Sequence, residues 1–320
     1  MRRPIEFTSR LAERMVQFFA FKRMQGYDYT AGADCLRRFD GFLHDSAHTG
    51  QRLYTEELDL YRARITGLSR SSQCGRLSVV RQFSLYLHAL APASAVLPRH
   101  LIARQPRSIR FCPLSPAQVV ALMAETVNPK PVNGIRPHCL RFLIGLLYST
   151  GLRISEALAL NLGDVDLDQG TLFVRQGKFR KERLVPMDPS VVAAVNQWLQ
   201  QRAAYAGDEN SAPLFVAGWS KRLDRHQASH AFCHLCVRCG PHGEPSPRLH
   251  DLRHNYACRC LARWREAGED VDALLPVLAN AMGHVDFHAT EVYLHIDAAA
   301  LRRASAKFHS YHNPCTECPK

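Results

Sequence analysis

Four prolines, Pro92, Pro98, Pro106 and Pro113, punctuate an arginine-bearing stretch in the first half of this 320-residue chain. Proline fixes φ and donates no backbone hydrogen bond, so such a stretch cannot continue a helix or join a central strand. It reads as a linker stiffened by proline. At roughly 150 residues per domain, the length also predicts two domains. The expected organisation is a helical domain over 1–105, a linker over 106–112, a second domain over 113–305 and a tail over 306–320.

Helical spacing dominates on both sides of the linker. Residues 8–24, 30–44, 54–64 and 72–90 read as four helices. Leu36, Phe39 and Leu43 share one face of the second. Leu77, Val80, Phe83, Leu87 and Leu90 share one face of the fourth, with Ser71 or Ser72 as its expected cap. Arg76 and Arg81 fall off that stripe, available to solvent or phosphate. Past the linker, Ser115-Pro116 opens a helix, and the apolar residues 138–149 form another that should stop at Gly151. Ser155 is the expected cap of the next. The one clear β signal is Thr171–Val174 and Arg183–Pro186 around the turn Gly177-Lys178-Phe179-Arg180. Later helices are expected from Asp188-Pro189, over 223–239, from Ser246-Pro247, near Val271 and near Thr290. The fold class is therefore mainly α with a small antiparallel β-sheet.

Hydrophobic residues make up 46% of the chain, enough to exclude disorder as its overall state. No stretch reaches the roughly 18 apolar residues of a membrane span, and no apolar run follows the basic N-terminus. A cytoplasmic protein with no membrane partner is expected. Its net charge is +12, and the charge is uneven: residues 1–112 hold 18 basic and 9 acidic side chains. No acid occurs between Asp59 and Glu125, where nine arginines do. A polyanion partner follows, nucleic acid first, with Arg70, Arg76, Arg81, Arg104, Arg107 and Arg110 as candidate backbone contacts.

Eleven cysteines without a secretion signal imply reduced thiols. Cys233, Cys236 and Cys239, and separately Cys315 and Cys318, have zinc-like spacing. The first three fall in a segment that reads helical, where cysteine is a small buried hydrophobe. No metal site and no cofactor are expected.

Five short pieces carry chemistry. Arg153 follows Gly151, Lys178 sits on the hairpin turn, His250 and Arg253 lie three apart, His284 follows Gly283, and Tyr293 comes nine residues later. A phosphodiester undergoing substitution gathers charge on its non-bridging oxygens, and two guanidiniums can clamp both. Arg153 and Arg253 are such a pair. His250 shares a helical face with Arg253 and offers an acid or base. Lys178 can release a proton, and Tyr293 offers a nucleophile. No carboxylate cluster suited to magnesium accompanies them, which fits a metal-independent phosphoryl transfer.

Taken together, these pieces resemble the tyrosine recombinase, or phage integrase, family in its Xer-like form. Thr150-Gly151-Leu152-Arg153-Ile154-Ser155-Glu156 resembles its first arginine box. Gly177-Lys178 with Lys181-Glu182-Arg183-Leu184-Val185-Pro186 resembles its lysine hairpin. His250-Asp251-Leu252-Arg253-His254 and Gly283-His284 with Tyr293 resemble the others. The resemblance spans about 113 to 300 and implies a tyrosine-recombinase catalytic domain (the DNA breaking-rejoining enzyme fold) behind a SAM-like core-binding domain. It implies that Tyr293 attacks double-stranded DNA to form a 3′-phosphotyrosyl link. Arg153 and Arg253 would bind the phosphate, Lys178 would protonate the leaving oxygen, His250 would handle the tyrosine proton and His284 would bond the phosphate. Glu156 would orient the clamp from behind, and His254 would support the site. The implied assembly is a homo- or hetero-tetramer with sister recombinases on DNA, and the implied role is that of a mobile element's recombinase.

Alternatives stay open. Arg180 or Lys181 could replace Lys178, which is favoured for its tight turn. Against the family it resembles, Ala267-Gly268-Glu269-Asp270 reads as an inserted loop, and the resemblance implies that residues 297–308 could dock as a C-terminal helix on a neighbouring protomer. Competing functions are a type IB topoisomerase and a non-catalytic DNA-binding accessory protein with a zinc-bound cysteine cluster.

Overall fold

The computed structural model describes residues 6–27, 29–46, 48–102, 111–127, 134–175, 182–218, 221–239 and 246–283. The chain forms two compact units, Met1–Ile109 and Arg110–Lys320, divided inside the proline-marked stretch.

The first unit holds α1 (Ala12–Met24), α2 (Thr30–Asp45), α3 (Thr55–Arg64) and α4 (Arg70–Leu90). Its core gathers Met15 and Phe18 from α1, Leu36, Phe39 and Leu43 from α2, Tyr61 from α3, and Leu77, Val80, Phe83 and Leu87 from α4. Phe18 meets Phe83 edge-on at 5.5 Å, and Phe39 meets Tyr61 at 4.8 Å. Leu90, expected on the apolar stripe, is instead exposed at the helix end. Helix α1 starts later than its sequence pattern because Thr8 and Ser9 donate their backbone N–H groups to the buried Asp40 carboxylate, at 2.6 and 3.0 Å. Helix α4 starts two residues earlier than expected. Its cap is Ser69, whose hydroxyl accepts from the Ser72 N–H, so Ser71 and Ser72 lie inside the helix.

The second unit holds α5 (Pro116–Glu125), α6 (Arg136–Thr150), α7 (Ile154–Ala159), β1 (Val165–Asp166), β2 (Thr171–Val174), β3 (Arg183–Pro186), α8 (Pro189–Ala203), α9 (Arg225–Cys239), α10 (Leu249–Glu266) and α11 (Val271–Met282). The strands form one antiparallel sheet in the order β1-β2-β3, with Leu172 opposite Val185 and Val174 opposite Arg183. Strand β1 is only two residues long, too short for an alternation signal. Helix α6 is buried along much of its length, through Cys139, Leu143, Ile144, Leu146 and Leu147. Phe142 at its middle stacks between Trp198 and Phe215, each at 5.3 Å. A smaller cluster of Ala257, Leu261, Leu278 and Met282 joins α10 to α11.

Residues 267–270 connect α10 to α11: Ala267 closes α10, Gly268 takes φ +75°, and Asp270 caps α11. Among the described residues no helix is long and apolar enough to cross a membrane.

Candidate active site

Helix α6 ends because Gly151 adopts φ +64°, a left-handed conformation that side chains resist. A Cβ at Gly151 would also lie 2.3 Å from the Tyr256 ring, so glycine is required there on two counts. The chain turns outward and Arg153 becomes the N-cap of α7. The expected cap, Ser155, lies inside the helix. The capping oxygen comes instead from Glu156, which accepts the Arg153 backbone N–H at 3.0 Å and its Nη1 at 2.6 Å. Glu156 is 4% exposed. Burial alone would raise its pKa, but hydrogen bonds from Arg183 and Arg153 outweigh that and hold the carboxyl below its ordinary value. It is a buried carboxylate that stays charged.

Helix α10 carries the next pair. Its first residue is Leu249, not Ser246-Pro247, because the Asp251 carboxylate folds back onto the Arg248 N–H at 2.8 Å and makes Arg248 the cap. Arg253 is 2% exposed. Its Nη1 donates to the Gly151 carbonyl at 2.6 Å and its Nη2 to the Met282 carbonyl at 2.7 Å. His250 sits one residue into the helix. Burial, then the Arg253 charge, push its pKa down, so the ring is neutral at physiological pH. His254 packs against it at 4.5 Å, edge to face, and is pushed down to about 4, chiefly by burial and then by His250.

Two residues that sequence reasoning passed over complete the framework. Asn255 accepts the Leu114 N–H at 3.0 Å and donates to the Asp251 carbonyl at 2.7 Å, tying the start of the unit to α10. Arg183 on β3 sets its Nη2 2.8 Å from one Glu156 oxygen and its Nη1 3.2 Å from the other, while its Nε donates to the Ala281 carbonyl at 3.0 Å. Arg153 Nη2 reaches the next carbonyl but one, Gly283, at 2.7 Å. The last carbonyls of α11, at Ala281, Met282 and Gly283, thus each receive a different arginine: Arg183, Arg253 and Arg153. Helix C-termini leave such carbonyls unpaired and carry partial negative charge, which the cations offset. The only sequence signal for Arg183 was its place in the run from Lys181 to Pro186, which resembles the lysine hairpin.

The structure therefore brings Arg153 and Arg253 to the end of α11, with Glu156 on Arg153, His250 near both arginines and His254 packed against His250. Lys178, His284 and Tyr293 lie outside the described residues, as do Arg104, Arg107 and Arg110. In the first unit Arg70 is exposed at the start of α4. Arg76 is half-buried rather than free in solvent, and its charge acts on Tyr61 and Cys35. Arg81 lines an open groove of about 900 Å³ with Ser78, Gln82, Arg99 and His100. Its Nε is buried without a hydrogen-bond partner there. Cys236 faces the core of the second unit, pushed up to about 12 by burial, while Cys233 is exposed. Among the described residues no three His, Cys, Asp or Glu side chains converge as a metal site would need.

The model of the phage integrase family matches residues 113–300. The integrase/recombinase y4rB of Sinorhizobium fredii is 31% identical over 294 residues, covering 89% of this chain and 93% of its own length. The tyrosine recombinase XerC of Pelobacter propionicus is 32% identical over 281 residues, 86% of each chain. Among solved structures, the Tn1549 transposon integrase bound to transposon right end DNA superposes with a TM-score of 0.62 at 17% identity, over 92% of this chain and 98% of that one. At that identity the likeness speaks for the fold. With a family model over more than half its length and relatives above 30% identity along most of it, the chain belongs to the phage integrase family, the tyrosine recombinases.

Proposed function

We propose that the protein cuts and rejoins double-stranded DNA at specific sites through a 3′-phosphotyrosyl intermediate on Tyr293, in the service of a mobile element. The Tyr293 oxygen attacks the scissile phosphorus, the bond to the 5′ oxygen breaks, and that oxygen leaves with a proton. The 5′-hydroxyl of a second strand then attacks the phosphotyrosine and releases the tyrosine. Each step trades one phosphate ester for another, so no external energy source or cofactor enters.

Arg153 and Arg253 oppose the charge that grows on the phosphate oxygens. His250 takes the tyrosine proton, a role its neutral state suits. Lys178 protonates the leaving 5′ oxygen, and His284 hydrogen-bonds the phosphate. Glu156 and His254 support the clamp and His250. The carrying observation is the convergence of Arg153 and Arg253 on the end of α11, beside His250. The first unit supplies backbone contacts from its acid-free, arginine-rich stretch, Arg81 foremost among the described residues. Joining two duplexes requires four strand cuts, hence a homo- or hetero-tetramer on DNA. The mobile-element role is supported by the similarity to y4rB and to the transposon integrase fold.

A nicked suicide duplex tests the chemistry, because loss of the short strand traps the covalent adduct. The wild type is expected to form an adduct and Tyr293→Phe to form none. An adduct with the phenylalanine variant, or none with the wild type, overturns the assignment. Exchange between two sites, rather than relaxation of one plasmid, separates recombination from topoisomerase action.

A further inference from the structure

We propose that Arg183 is a positioning residue of the cleavage site, which leaves a net positive charge beside the Arg153–Glu156 pair for a phosphate and holds the end of α11 in register. The proposal rests on the recombinase reading above. Its starting point is a conflict. Glu156 must orient Arg153, yet a carboxylate 2.6 Å from that guanidinium would cancel the charge a phosphate needs. Arg183 resolves it. Its two terminal nitrogens bracket both Glu156 oxygens in a fork, at 2.8 and 3.2 Å, so the carboxylate is shared between two cations and one positive charge remains. The Arg183 side chain is 11% exposed and that of Glu156 3%, so solvent screens the arrangement little.

The same side chain sets a position. With its terminal nitrogens on Glu156, Arg183 gives its Nε to the Ala281 carbonyl, 98 residues away in sequence. Gly283, two residues later, takes φ +66°, and a Cβ there would stand 2.7 Å from Arg183 Nη1, so a side chain at that position would displace the guanidinium. Arg153 then meets the Gly283 carbonyl. The β3 strand, the Glu156 carboxylate and the chain leading to His284 are thus locked by one guanidinium. Lysine cannot reproduce this, since an ammonium has no planar fork to span a carboxylate and a carbonyl together.

The test measures single-turnover adduct formation at saturating nicked DNA, with DNA affinity and melting temperature alongside. Arg183→Gln is expected to bind DNA within about threefold of wild type and to cleave about 100-fold more slowly, the cost of a misplaced catalytic group. Arg183→Lys, which keeps the charge, should recover part of the rate. Glu156→Gln added to Arg183→Gln should make cleavage faster than Arg183→Gln alone, because it removes the uncompensated carboxylate. A merely structural arginine would instead give losses that multiply. Wild-type cleavage by a folded Arg183→Gln, or multiplying losses in the double variant, overturns the proposal. Should Arg183→Gln not fold, a folded Arg183→Lys that cleaves at the wild-type rate overturns it. Failure of the wild type to form adduct would instead sink the recombinase reading itself.

Discussion

Replacing Gly151 by alanine separates two costs that the structure places at one residue. The first is conformational. At φ +64° an L-residue pays about 1–2 kcal/mol. The second is steric. The added Cβ would lie 2.3 Å from Tyr256 Cδ1 and 2.9 Å from Cε1, so the ring or the helix end must move, and overpacking of this kind costs about 1–3 kcal/mol. Gly268 serves as the control. It has φ +75°, but a Cβ there meets nothing within 4 Å, so Gly268→Ala carries the first cost alone. The expected losses are about 2–5 kcal/mol for Gly151→Ala and about 1–2 kcal/mol for Gly268→Ala. Urea unfolding of the full chain, followed by tryptophan fluorescence, reads this out, since Trp198, Trp219 and Trp264 all belong to the second unit. Because the Gly151 carbonyl accepts from Arg253, Gly151→Ala should also slow adduct formation, whereas Gly268→Ala should not. Equal destabilisation by the two variants would refute the steric argument.

Two further outcomes follow from the site and from the first unit. His254 has its pKa lowered from 6.5 to about 4 on folding, and His250 is lowered too, so between those pH values the unfolded chain binds protons that the folded one refuses. Stability should therefore be full above pH 6.5 and fall as pH drops toward 4. His254→Gln should weaken that acid-side loss in urea midpoints at pH 7.5 and 5, and an unchanged pH dependence would contradict the burial argument. Arg81→Gln and Arg99→Gln should each weaken DNA binding across sequences and reduce the salt slope of log affinity by about 1, as lost phosphate contacts do. Salt titrations by fluorescence anisotropy would show this, and an unchanged slope would remove that groove from the DNA interface.

The sequence by itself determined much of this protein. Apolar spacing placed the helices, because a 3.6-residue period is a local property that packing then exploits. The four prolines mark the stretch within which the chain divides into two units, and Gly151 and Asp188-Pro189 marked a helix end and a helix start. The same local logic brought Arg153, His250 and Arg253 forward. Helix starts were less legible. Those of α7 and α10 depend on Glu156 and Asp251 folding back from the third helical position, and that of α1 on Asp40 reaching across from α2.

What only the tertiary structure decided is how the site's cations are held. Arg253 meets a carbonyl 102 residues earlier in the chain and another 29 later, and Arg183 reaches 98 residues forward. No periodicity encodes those distances. The physical reason is that α11 ends inside the second unit with carbonyls its own helix cannot satisfy. Which side chains answer them depends on where β3, α7 and α10 come to rest.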